Sequence, residues 1–522
     1  MKKRYALPLL LIAPSLHAGL RAQVGSLDPD FANAGLGIYA PGSLHDIGHG
    51  ITTLPDTTMY VCGVAWSGGS PAGFVTHVLQ DGTIDVGFGT NGYTFFDAGE
   101  EAYLYDLVVA ADGSIFACGT AYPTFAQQTM LLVHLSMDGV PDMGFGSGGM
   151  VTTVVGNVDS EAQSMVMDAL GRITVAGRAG FGSESNALIA RYTPNGLLDA
   201  NFSSDGFYLY AGNADEDAFH AIDVLSDGSV VAAGSFVQNF AYRSMVIRVD
   251  DSGAPVTTFG TGGMAALDLA GNVDDAWGIL ADGLECLVTG YQLTTQNDQD
   301  VYVTRLDANG GPVISFGTNG TTVINTNVNE IGYDIAQHPD GTILVCGSSG
   351  VAGFAAPRDM LLACLLGDGT LDASFGNGGT VITSVQPDFD DANAVAVQVD
   401  GKVVTTGFTS GFSAGTDNDL VIARYLKEEA SSIASTTDLL GSVALFPNPT
   451  GSASVTLLGL PSQQDIQVEF IDASGRMVAS ERIIQAIEQR HTLATNDLSA
   501  GAYHVHIRTH NSTRVLPLVV TR

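Results

Sequence analysis

The sequence predicts an all-β chain: a seven-bladed β-propeller with four strands per blade, followed by a small immunoglobulin-like β-sandwich. Two periodic markers and the composition carry this reading. A Phe followed by a glycine-rich turn recurs at Phe31, Phe88, Phe145, Phe202, Phe259, Phe316 and Phe375, at intervals of 57 residues five times and then 59. A Gly that closes an apolar run recurs at Gly63, Gly119, Gly177, Gly234, Gly290, Gly347 and Gly407. At 522 residues the chain exceeds one ordinary hydrophobic core, and 64 Gly with only 14% charged residues describe many short strands and tight turns.

Four strand-like runs fit into one period, as at Met150 to Val155, Gln163 to Asp168, Arg172 to Ala176 and Ala187 to Tyr192. The Asp-Gly pairs at Asp112, Asp227, Asp282, Asp340 and Asp400 stand between the second and third runs, where a hairpin needs positive φ. Pairs at Asn91, Gly148, Gly262, Asn319 and Gly378 turn the chain after each Phe. Four antiparallel strands per unit make a propeller blade.

An open solenoid would need polar caps on its end repeats, and none is visible. The seventh copy instead stops at Arg424-Tyr425-Leu426 without its Phe turn, and Leu27 to Phe31 supplies the missing piece. A closed ring is therefore expected, sealed by the N-terminal segment. Each Phe reads as a wedge buried between blades, whose removal should cost about 3–5 kcal/mol.

Residues 1–22 have the layout of a secretory signal peptide: Lys2, Lys3 and Arg4, an apolar stretch from Ala6 to Ile12, then small residues at Ala18 and Ala22. No later segment is apolar and long enough to remain in a membrane. Between residues 23 and 440 there are 10 Lys/Arg against 49 Asp/Glu, a surface that repels phosphate backbones and leaves solubility outside the cell as its main purpose. Nucleic acid is thereby excluded as a partner. Five Cys do not make a disulfide framework; Cys62, Cys118 and Cys346 precede the marker Gly and read as small core residues.

The pattern of Arg-Tyr or Arg-Leu, a turn, Leu-Asp-x-x-Phe-Gly, an Asp-Gly pair and a strand ending in Gly resembles the delta-60 repeat family of bacterial exported proteins over residues 25 to 426. The resemblance implies blade-like repeats and no shared enzymatic activity. Val256 and Val313 depart from the Asp that recurs at positions 28, 85, 142, 199 and 372; His77, His134 and Cys364 depart from the Arg at 191, 248, 305 and 424. An Asp–Arg contact so variable reads as a turn cap or surface pair rather than catalysis.

A Ser/Thr/Ala-rich linker is expected at 429–441, and a separate module at 442–522. Phe446-Pro447-Asn448-Pro449 opens it, Asp472 to Arg476 forms a turn, and Leu498-Ser499-Ala500-Gly501-Ala502-Tyr503 leads into an alternating strand. This constellation resembles the C-terminal sorting domain of the type IX secretion system. The resemblance implies export across both membranes by that machinery, with release or attachment at the cell surface.

No catalytic constellation stands out: no H-E-x-x-H, phosphate loop or nucleophile elbow occurs. His77 and His134 share a slot in adjacent blades and read as surface residues. An acid precedes the second strand of every blade, at Asp46, Glu101, Glu161, Asp217, Asp274, Glu330 and Asp390. If these lined one rim they could hold Ca²⁺, although their uneven spacing favours a solvated acidic rim. Three functions follow as expectations: a non-catalytic protein binding a surface polymer or protein, a polysaccharide hydrolase or lyase using Glu101 or Glu161, and a Ca²⁺-dependent adhesive component. No other cofactor is indicated.

Overall fold

The computed structural model describes residues 23–427 and 443–521, apart from positions 68, 125–126, 157, 181–184, 211–215, 268, 270–272, 295–297, 352–355, 412–416, 447–449, 451–453, 461–465, 473–475, 484–489 and 509–512. The leader at 1–22 and the linker at 429–441 lie outside them, as do Pro447 to Pro449. Every regular element described is a strand. No described helix is long and apolar enough to cross a membrane.

Blade 1 is the antiparallel sheet Asp46–Thr53, Met59–Ser67, Ser70–Val78 and Tyr93–Phe96, in that order from one edge to the other. Blades 2 to 6 repeat it, beginning at Glu101, Ser160, Ala218, Val273 and Asn329. The first strands of successive blades neighbour one another, and that of blade 7, Phe389–Val397, returns to that of blade 1. They form the inner edge of a closed ring.

The structural blade is offset by one strand from the sequence period. The run at Met150–Thr153 is the outermost strand of blade 2, not the first strand of blade 3. With this offset the ring closes by pairing a strand from one end of the chain with the last blade. Blade 7 supplies only Phe389–Val397, Val403–Ser410 and Asn418–Tyr425, and its outer strand is Leu36–Tyr39 from the other end of the chain. Gly25 N donates to Leu426 O (2.7 Å) and Asp28 N to Arg424 O (2.7 Å), extending the seam.

The core divides as a ring should. Seven apolar clusters each join two adjacent blades, and an eighth belongs to the C-terminal module. Every periodic Phe sits in one of the seven, none more than 2% exposed, with Phe31 at the interface of blades 7 and 1. All five Cys are buried and unbridged.

The Asp–Arg pairs are not surface pairs, and the reason lies in the Phe. Arg424 Nε donates to Asp28 Oδ2 (2.8 Å), its side chain only 5% exposed, while its guanidinium lies 4.5 Å above the Phe31 ring. Arg191 repeats this with Asp199 and Phe202. The Phe31 and Phe202 wedges thus each carry a cation on the outer face, which needs a counter-charge. Where Val256 replaces the Asp, Arg248 turns to Asp227 (2.6 Å); where Val313 does, Arg305 takes Asp282 and Glu285. His77 and His134 are likewise half-buried, each 3.0 Å from its blade's Asp, and His134 stacks on Phe116 at 4.0 Å.

The C-terminal module is two facing sheets, one of Ala444–Phe446, Ser454–Leu458 and Arg490–Ala494, the other of Met477–Ile483, Ile466–Asp472, Gly501–Arg508 and Thr513–Val520. Alternate residues such as Val455, Leu457, Val468, Phe470, Val505 and Ile507 fill the space between them.

Candidate functional site at the inner edge of the ring

The second periodic marker explains the inner edge. In all seven blades the pairing of first and second strands slips by one residue opposite the marker Gly, as between Gly48 and Gly50 facing Gly63. A Cβ on any of these glycines would overlap the carbonyl oxygen of a first-strand residue, Ile47 in blade 1 and Asp275 in blade 5. The Gly makes room for a β-bulge, and a bulge re-aims a side chain.

The extruded residues are His49, Tyr105, Gln163, His220, Trp277, Tyr333 and Asn393. Each is aromatic, amide or imidazole, and none is a simple aliphatic. They meet their counterparts around the ring: His49 packs edge-on against Tyr105 (5.2 Å), His220 lies flat on Trp277 (4.3 Å, 11°), and Trp277 meets Tyr333 edge-on (6.0 Å). Asn393 Nδ2 donates to Gly48 O (2.9 Å), joining blade 7 to blade 1. Sequence reading missed this set because the identity of the bulge residue varies from blade to blade; the constant Gly across from it was the available signal.

The acids that precede the inner strand stand beside this set but do not gather. Asp46, Asp217, Asp274, Glu330 and Asp390 occupy equivalent registers two residues before the slip, while Glu101 and Glu161 are displaced from it. Each is engaged locally. Asp46 accepts from Gly42 N (3.0 Å), Asp217 from Val237 N (3.3 Å), Asp274 from Ser244 N (2.6 Å), Glu330 from Thr326 N (3.0 Å) and Asp390 from Val385 N (2.6 Å). Glu101 takes the Tyr103 hydroxyl, and Glu161 takes Gln128, Gln163 and Arg178. Asp46, Glu330 and Asp390 hold the loops that lead into their blades, Asp217 holds the second strand of its own blade, and Glu161 and Asp274 reach the third strand of the preceding blade. Among the described residues no group of three or more His, Cys, Asp or Glu is placed to hold a metal ion.

A second set of carboxylates lies deeper. Asp106 accepts from Met165 N (2.8 Å) and Ser164 Oγ, Asp223 from Ala281 N (2.7 Å), and Asp334 from Val395 N (2.9 Å), so each even-numbered blade is latched to the next. Burial pushes Asp334 up to about 7, against its N–H bonds and with help from the Asp106 and Asp223 charges. Burial likewise lifts Asp106 to about 6, Glu330 to about 6 and Asp46 to about 7. These groups hold their protons more tightly folded than unfolded, so their contribution is full below about pH 4 and fades as pH rises through 6 to 7. At Asp28 the Lys402, Asp30 N–H and Arg424 partners outweigh burial and hold the carboxyl below its ordinary range; that contribution is lost as pH falls below about 4. Melting temperature is therefore expected to peak near pH 4–5 and to be several degrees lower at pH 8, measured by calorimetry at constant ionic strength. A flat profile from pH 5 to 8 would contradict the assignment.

Comparison with known proteins agrees with both halves of the chain. Residues 171–202 and 338–375 match the β-propeller domain of unknown function DUF5122, and residues 444–521 match a secretion system C-terminal sorting domain. The protein is thus an all-β propeller. More particularly, it is a propeller that carries a type IX sorting domain and is exported for secretion or surface attachment. No curated protein matches the sequence. Among solved structures, PorZ of Porphyromonas gingivalis, a bacterial surface component of the type IX secretion system, is 13% identical, with 89% of this chain and 58% of that one covered and a TM-score of 0.37. This chain therefore spans less than two thirds of PorZ. A protein of unknown function from Dyadobacter fermentans is 11% identical (61% and 92% covered, TM-score 0.39), and the polysaccharide lyase Uly1 is 10% identical (74% and 91%, 0.41). No residue is carried over from them.

Proposed function

We propose that the chain is a non-catalytic binding protein that acts at the cell surface or in the medium, after export through a cleaved leader at 1–22. Its ligand enters on the face where the first strands begin, and residues 442–522 engage the secretion machinery. The observation that supports this is a division of labour at the inner edge. The carboxylates that recur before the slip are engaged within and between blades, whereas the bulges present seven varied side chains with rings and hydrogen-bonding atoms, a pattern suited to recognition.

The test is pull-down and array binding of the chain from residue 23 onward against surface polymers and outer-membrane proteins. Capture that is lost in a His49→Ala, Tyr105→Ala, Trp277→Ala variant of unchanged melting temperature supports the reading. Absence of any capture, or full capture by that variant, overturns it. Polysaccharide cleavage is the competing function, and release of reducing ends that disappears in Glu101→Gln or Glu161→Gln would establish it instead. Calcium-dependent adhesion is a third, and a melting temperature lowered by EDTA would speak for it.

A further inference from the structure

We propose that His220, Trp277 and Tyr333, with the cavity beside them, form a subsite for a neutral saccharide. This rests on the reading that the inner edge binds a ligand, and it names the ligand's chemistry.

Three polar atoms in this arc are buried without a hydrogen-bond partner in the protein: Trp277 Nε1, His220 Nδ1 and Asp275 Oδ1. Asp275 is 8% exposed, and its Oδ1 stands 3.6 Å from His220 Nε2, beyond hydrogen-bond length. Orphaned buried polar groups are uncommon, and three within one stacked cluster mark a place that expects a partner from outside. The partner must suit all three. An indole N–H only donates, a carboxylate oxygen accepts, and an imidazole nitrogen does either. A simple anion leaves the carboxylate oxygen unmatched, and a simple cation leaves the indole N–H unmatched. Hydroxyl groups both donate and accept.

Of the arc, Tyr333 reaches a cavity of about 450 Å³, which it lines with Gln299, Asn329, Ser348 and Arg358 among others, while His220, Trp277 and Asp275 stand behind it. Its polar groups are amides and hydroxyls, with the Tyr333 hydroxyl 3.3 Å from Ser348 Oγ. Its one cation, Arg358, is already matched by a two-pronged contact to Asp391 (2.5 and 2.6 Å). The wall therefore offers hydrogen bonds and an aromatic ring without a free charge, and the excess of acids from residue 23 to 440 disfavours anionic polymers. Cavities of this size are typical of small-ligand sites, which span roughly 300–1,000 Å³.

The chain holds two Trp residues, so Trp66→Phe leaves Trp277 as the sole tryptophan and a reporter at the subsite. That variant of the chain from residue 23 onward is titrated with neutral oligosaccharides of glucose, xylose and galactose, with an oligouronate and with an oligoglucosamine. A saturable change in emission is expected with a neutral member, at affinity reduced at least tenfold by Tyr333→Ala and by Gln299→Ala while each variant's melting curve is retained. A stronger response to the uronate or the amine overturns the ligand class. Silence toward all of them overturns the subsite. If Trp277 is silent while the same chain is still captured by a surface polymer, the subsite fails and the general binding reading survives.

Discussion

A chain beginning at residue 40 is expected to lose cooperative unfolding, or to melt at least ten degrees below the chain that begins at residue 23. The segment removed supplies the outer strand of blade 7, the Phe31 wedge and the Asp28 partner of Arg424, two residues 396 positions apart in sequence. Its loss leaves blades 7 and 1 facing each other with an unfilled interface and a buried guanidinium unpaired. Asp28→Ala isolates the electrostatic part. Removing one partner of a buried ion pair costs about 3–5 kcal/mol, and Lys402, 2.9 Å from the same carboxylate, is left with only Asp400 at 3.7 Å. Denaturant unfolding of both variants measures this; a truncated chain as stable as its parent would mean that the ring is not held by its seam.

Gly290→Ala should cost about 3 kcal/mol or more, the upper end of ordinary overpacking, because the added methyl meets backbone rather than a side chain that can turn aside. The chain can relieve the overlap with Asp275 O only by straightening the bulge that extrudes Trp277. Stability and tryptophan emission should therefore change together. Ala substitution at Gly148, where a Cβ meets nothing within 4 Å, carries only the strain of its positive φ and is the control. Equal effects at both positions would detach the marker Gly from the bulge.

Much of the architecture was legible because both markers answer to one physical demand each. Phe31 and its six counterparts must fill a gap between blades, and Gly63 and its counterparts must pass a carbonyl, so neither can drift. The strand offset was not legible, since nothing in Met150–Thr153 says which neighbour it will pair with. The candidate site was hidden for the opposite reason. Its residues differ from blade to blade, and their shared position shows only once the register slip is seen. The acids at Asp46, Glu330 and Asp390 drew notice because they recur, and recurrence here reflects the loop N–H groups they hold. The recurring Asp does cap its turn, as at Asp28 and Asp199, but its pair with Arg is buried, and sequence variation at Val256 and Val313 concealed that through the substitute partners Asp227 and Asp282.

The swap that completes blade 7 also brings the two ends of the propeller to one place: Ser26 O accepts from Leu426 N (2.9 Å) on the same sheet edge. A chain reopened between any other two blades and joined across this edge would keep every blade's strands contiguous with their partners. In the natural order, the earliest-made strand must stay unpaired until the last blade exists, so folding of the ring is a late event with a long loop to close. Such a chain remains threadable for as long as its final repeat is withheld.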